Sequence, residues 1–173
     1  MLFIRSLRNW NATFNNAMLT IAGVLLTVSM LLIVTNGIIR NFTAPIGAVV
    51  EIVSWCASII TVFSLGATQV TKGHVYIDLI FNKLPATLRR IIEILTTIAS
   101  ILFFSIVTYQ LFKYGMNFKA SGTLSTTLRI EFWPIVLVAA FGFISLITTL
   151  IINLLYLLFG KGEDDEWAQE QLL

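Results

Sequence analysis

The chain has 173 residues, of which 57% are hydrophobic and 12% charged, and its mean hydropathy is +0.89. A soluble domain carries roughly a quarter charged residues, so the composition excludes a soluble fold and makes the chain an integral membrane protein. A net charge of +2 is too small to indicate nucleic acid, one histidine excludes a two-histidine haem or a multi-histidine metal centre, and Cys56 alone cannot form an internal disulfide.

Residues 1–16 precede the first span. Phe3, Leu7, Trp10 and Phe14 recur at helical steps, with Arg5 and Arg8 elsewhere on the surface. This pattern predicts a short amphipathic helix lying in the headgroup layer. A cleaved signal peptide is the rival reading, but the following apolar run is too long and lacks a small-x-small cleavage site before Arg40.

The first span is 17–39, free of charge and long enough to cross about 30 Å of hydrocarbon. Asn16, Thr20, Gly23 and Thr27 follow one stripe, a small and polar seam suited to helix contact. After a short turn, with Asn41 or Thr43 as candidate caps, the second span is 46–70. Glu51, Ser54, Ser58, Thr61 and Thr68 share one of its faces, while Ile52, Ile59, Ile60 and Phe63 fall on the opposite, lipid-facing one. Hydrophobic burial does not hold membrane helices together, so the hydroxyl stripe is the expected buried helix–helix interface.

A charged stretch, 71–90, separates this pair of spans from the next. Its apolar residues from Val75 to Asn82 predict an amphipathic segment along the bilayer surface. The third span is 88–112, with Glu93 placed to pair with Arg89 or Arg90. A loop, 113–132, leads to the fourth span, 133–159, whose seam is Gly142, Ser145, Thr149 and Asn153. Residues 160–173 form an acidic tail. The fold class is therefore all-α and membrane-embedded, four transmembrane helices in two pairs. Seven Lys and Arg residues fall on the termini and central loop and four on the other two loops, so the positive-inside rule places both termini in the cytoplasm.

Few residues have the makings of chemistry. Glu51 is an ionisable group inside a span, which marks a proton or cation relay or, as the plainer reading, a structural acid paired with Arg40, Arg129 or a partner subunit. His74 and Asp78 stand at helical spacing but lack a third ligand, so they read as loop-fixing groups rather than a metal site. Trp10 and Trp133 fit the aromatic belts, which leave the deeper Trp55 unexplained. No phosphate loop, Ser-His-Asp set or paired catalytic carboxylates appear, so nothing supports an enzyme or a cofactor.

The wording K-G-H-V-Y-I-D, from Lys72, Gly73 and His74 to Asp78, is followed by L-P-A-T-L-R-R, from Leu84 and Pro85 to Arg89 and Arg90. Together these resemble the small membrane subunit of the tripartite ATP-independent periplasmic (TRAP) transporters, the DctQ-like family. Glu51 and Gly66 upstream, Leu128-Arg129-Ile130 before Phe132-Trp133, and Gly142-Phe143 are similar to the family in order and spacing. Only Glu51 stands where members often carry paired acids, and Glu131 stands where proline is common.

The resemblance implies a bacterial inner-membrane scaffold that does not itself move substrate. It would brace a large permease subunit, which carries substrate with sodium, and help dock a periplasmic substrate-binding protein. Organic acids are the implied substrates, and the overall wording is closest to the sialic-acid branch. The Glu51 stripe or the Thr20, Gly23 and Thr27 seam would face the large subunit, and Arg40, Lys113, Lys119 and Arg129 would meet the binding protein. The alternative is a small four-helix proton-coupled exporter, acting as a dimer through Glu51.

Overall fold

A computed structural model describes residues 2–44, 46–70 and 86–159. Four helices make up nearly all of these residues: α1 (Leu2–Ile39), α2 (Gly47–Val70), α3 (Ala86–Ser121) and α4 (Trp133–Phe159). Each is long and apolar enough to cross a membrane.

Two helices differ from the expected bounds, for local reasons. No proline or glycine interrupts residues 2–22, so the predicted headgroup-layer helix and the first span are one continuous α1. Likewise α3 runs nine residues past the expected end at 112, because nothing stops it until Gly122. There the chain takes a left-handed φ of 60°, the Gly122 N–H bonds the Lys119 carbonyl, and the Thr123 N–H bonds the Phe118 carbonyl. That is a Schellman stop, in which glycine takes up the reversed backbone without a Cβ penalty. At ~1.5 Å per residue, α1 and α3 each exceed 50 Å and extend well beyond the roughly 30 Å hydrocarbon layer.

The entry to α2 is capped from α1. Asn36 Oδ1 accepts the Ile46 N–H at 2.9 Å, whereas Asn41 and Thr43, the expected caps, bond back to α1 carbonyls. This bond ties the end of one helix to the start of the next and fixes their antiparallel pairing.

The helices pack as a row in the order α1, α2, α4, α3, with α1 also touching α4. The core between α1 and α2 is Met18, Ala22 and Phe63, flanked by Phe14, Ile59 and Ile60. A Cβ on Gly142 of α4 would lie 2.5 Å from Val62 Cγ1, so α2 and α4 meet almost backbone to side chain. Phe143, the next residue, stacks on Phe104 of α3 with centroids 5.7 Å apart. The Gly142-Phe143 pair thus holds one neighbour on each side of α4. On α3, Gly115 is the single buried residue among those described, and it rests on Leu137.

This packing inverts the expected polarity of α2. Phe63 is buried and Ile52, Ile59 and Ile60 are partly buried, so the face read as lipid-exposed is the inner one. Ser54, Ser58, Thr61 and Thr68 face outward. Each of these hydroxyls donates to the carbonyl four residues earlier, at 2.8–3.0 Å. A hydroxyl satisfied by its own helix has no need of a buried partner, which leaves shape complementarity to choose the inner face.

Candidate functional site

Two polar centres hold the row together, one at each end. At the end formed by the start of α2 and the entry to α4, the carboxylate of Glu51 accepts three consecutive backbone N–H groups. Thr126 N–H reaches Oε1 at 3.1 Å, and Thr127 and Leu128 N–H reach Oε2 at 3.1 and 3.0 Å. Glu51 lies four residues into α2, about 6 Å along the axis, so the contact sits near the end of the helix. The loop is closed by Ser125 N–H bonding the Ile130 carbonyl at 2.8 Å, and by Ile130 N–H bonding Ser125 Oγ at 3.3 Å. Consecutive amides turned to one side form a concave anion site, filled here by the chain's own carboxylate. The expected partners, Arg40 and Arg129, do not supply this contact. Backbone N–H groups do.

Aromatic rings brace the same end. Trp55, unexplained by an interfacial belt, packs on Phe132 (6.1 Å), which meets Phe118 edge-on (5.5 Å). Trp133 donates its indole N–H to Glu131 Oε2 at 2.6 Å, and Lys119 Nζ lies 4.8 Å above its ring. Arg40, Lys113, Lys119 and Arg129 are all exposed, and helix polarity puts them toward this end.

The other centre joins α1 to α4. Asn11 and Asn15, one turn apart, are buried together with Ser145 and Thr149. Asn11 Nδ2 donates to Thr149 Oγ1 at 3.0 Å, Asn15 Nδ2 donates to the Asn11 carbonyl at 2.9 Å, and Ser145 Oγ donates to Asn15 Oδ1 at 3.1 Å. Gly66 of α2 faces the Asn15 amide so closely that a Cβ there would overlap Asn15 Oδ1. Sequence reasoning placed the Gly142, Ser145 and Thr149 seam but missed its asparagine partners. Their spacing of four just ahead of an apolar run was the available signal.

Arg90 closes this end from α3. Its Nη2 and Nε donate to the Leu157 carbonyl at 2.6 and 3.2 Å, against the negative end of the α4 dipole. The guanidinium thus meets a helix carbonyl. Arg90→Ala is expected to lower stability in detergent by about 1 kcal/mol, and Arg90→Lys by less, because an ammonium keeps a charged donor for the carbonyl although it cannot fork across it. Thermal unfolding of the purified chain checks this.

Of the other predicted positions, Thr20, Gly23 and Thr27 are exposed on α1, and a Cβ on Gly23 would meet nothing within 4 Å. Thr20 and Thr27 bond back to the Asn16 and Gly23 carbonyls. Lys72, Gly73, His74, Asp78, Leu84 and Pro85 lie outside the described residues, as do the predicted surface segment and acidic tail. The side chain of Arg89 is outside them as well.

This is the class of a multi-pass helical membrane protein whose inner polar groups join its own helices. The family model described as "Tripartite ATP-independent periplasmic transporters, DctQ component" matches residues 29–160, most of the chain. The protein belongs to that family, the small membrane subunit of TRAP transporters, and is a component of a transport system. No curated protein and no solved structure matches the chain.

Proposed function

We propose that this subunit is a scaffold that translocates nothing itself, bracing a large permease subunit in the bacterial inner membrane and helping a periplasmic binding protein to dock. The transporter it serves takes up an organic acid with sodium. Sialic acid is the specific substrate we favour, on the family-like wording of the sequence. Both termini lie in the cytoplasm, which puts the Glu51 loop and the four docking cations in the periplasm.

One observation carries the reading. The chain packs through its apolar and glycine faces and its asparagine joint, and leaves Ser54, Ser58 and Thr61 exposed on the outer face of α2. Small side chains let a neighbouring helix approach closely and add weak hydrogen bonds, as suits a heteromeric contact within the bilayer. The Thr20, Gly23 and Thr27 seam offers the same chemistry on α1.

The exporter alternative needs Glu51 free to exchange a proton, yet its carboxylate is occupied by three loop amides near the end of a helix. Ser58→Trp and Thr61→Trp are expected to abolish co-purification with the large subunit and leave the melting temperature of the isolated chain unchanged. Leu102→Trp, on the exposed apolar surface of α3, is the control and should assemble normally. Normal assembly of both stripe variants would remove the large subunit from this face.

A further inference from the structure

The loop that Glu51 holds contains an anomaly. Arg129 has a φ of 52°, the left-handed region that glycine and asparagine prefer. An ordinary residue there costs about 1–2 kcal/mol. Glycine would make the same turn without that cost, so the backbone gives no reason for arginine. Nor does packing, since Arg129 is exposed and its guanidinium makes no hydrogen bond or ion pair among the described residues. Strained residues of this kind cluster at sites where a side chain must be held in place.

The surroundings supply the hold. Thr126, Thr127 and Leu128 turn their N–H groups inward to Glu51, and Ile130 is bonded back to Ser125 by two hydrogen bonds. Arg129 stands between these two clamped points. Its backbone is fixed from both sides, and its side chain is exposed.

We propose that Glu51 is a positioning residue whose anion-holding turn presents Arg129 as a preset cation for a carboxylate on the soluble substrate-binding protein. This rests on the docking reading above and narrows it from four cations to one, with an internal acid that organises it. A guanidinium suits the task because its planar fork pairs with both oxygens of a carboxylate. A fixed backbone also lowers the ordering cost of binding.

The test uses the complete membrane complex in nanodiscs, with its own binding protein as the soluble probe, and reads the dissociation constant. Arg129→Ala and Arg129→Gly are each expected to weaken binding about five- to tenfold, and Arg129→Lys only about twofold. Glycine accepts the left-handed turn, so its loss of binding cannot be assigned to an unfolded loop. Glu51→Gln should weaken binding by about the same factor as Arg129→Ala, and the double variant should be no weaker than either alone. Additive losses, or full binding by Arg129→Ala, overturn the proposal. If Lys119→Glu weakens binding while Arg129→Ala does not, docking at this end stands and the role given to Arg129 falls. If neither variant matters, the docking reading falls with it.

Discussion

Gly66→Ala is expected to destabilise the chain by about 2–3 kcal/mol, the upper part of the range for overpacking a tight interior. The added methyl would overlap Asn15 Oδ1, and that amide is held at both its oxygen and its nitrogen. Its oxygen accepts the Ser145 hydroxyl, and its nitrogen bonds the Asn11 carbonyl and Thr149 Oγ1. Helix α2 must therefore move away from α1 and α4 together.

Asn15→Ala alone should cost less. Interhelical hydrogen bonds in a bilayer average about 0.6 kcal/mol, because the unfolded chain in lipid also finds partners. The pair makes a cycle. With the amide already removed, the Gly66 methyl has room, and its further cost should fall below about 1 kcal/mol. Melting temperatures of the four purified forms in one detergent measure it, and equal costs of Gly66→Ala in both backgrounds would refute the clash.

Glu51→Ala is expected to release the 123–132 loop and leave the helices in place. Three N–H groups lose their acceptor together, but they lie near the end of α2, where water can reach them. The effect is therefore local opening rather than global unfolding. Hydrogen exchange at Thr126, Thr127 and Leu128 should speed up by on the order of tenfold or more, and exchange within the Gly66–Ser145 contact should not change.

Glu51→Gln should fall between the two. It keeps one acceptor oxygen but turns an NH₂ group toward N–H donors that need an acceptor. The same experiment separates the structural role from a proton relay. A relay predicts undisturbed loop protection in Glu51→Gln together with lost transport. A clamp predicts faster exchange, with transport following the order of the loop.

Some of this architecture was legible in the sequence, and the parts that were not share a cause. The four spans follow from uninterrupted apolar runs, and the Gly142, Ser145 and Thr149 seam follows from helical spacing, because small residues at that period allow close packing. The orientation of α2 was not legible. Its two faces were separated correctly, but Ser54 and its neighbours satisfy themselves on the carbonyls of their own helix, so polarity did not decide which face turns inward. A chain in lipid lacks the hydrophobic drive that settles such questions in water.

The partner of Glu51 was hidden for a different reason. Backbone N–H groups carry no residue identity, so side-chain charge points to Arg40 and Arg129 and not to the amides of Thr126 to Leu128. The asparagine joint is hidden because the pattern of residues 1–16 is that of a separate surface helix. The structure runs residues 2–16 into α1 and buries Asn11 and Asn15 against α4.

Purified alone and placed in sodium-loaded or sodium-free liposomes, the chain should catalyse no uptake or release of sialic acid, other organic acids or protons above the protein-free rate. Adding the large subunit and the binding protein should then restore sodium-dependent uptake. Solute or proton flux through the isolated chain would mean that it carries a pathway of its own, and would contradict its reading as a scaffold.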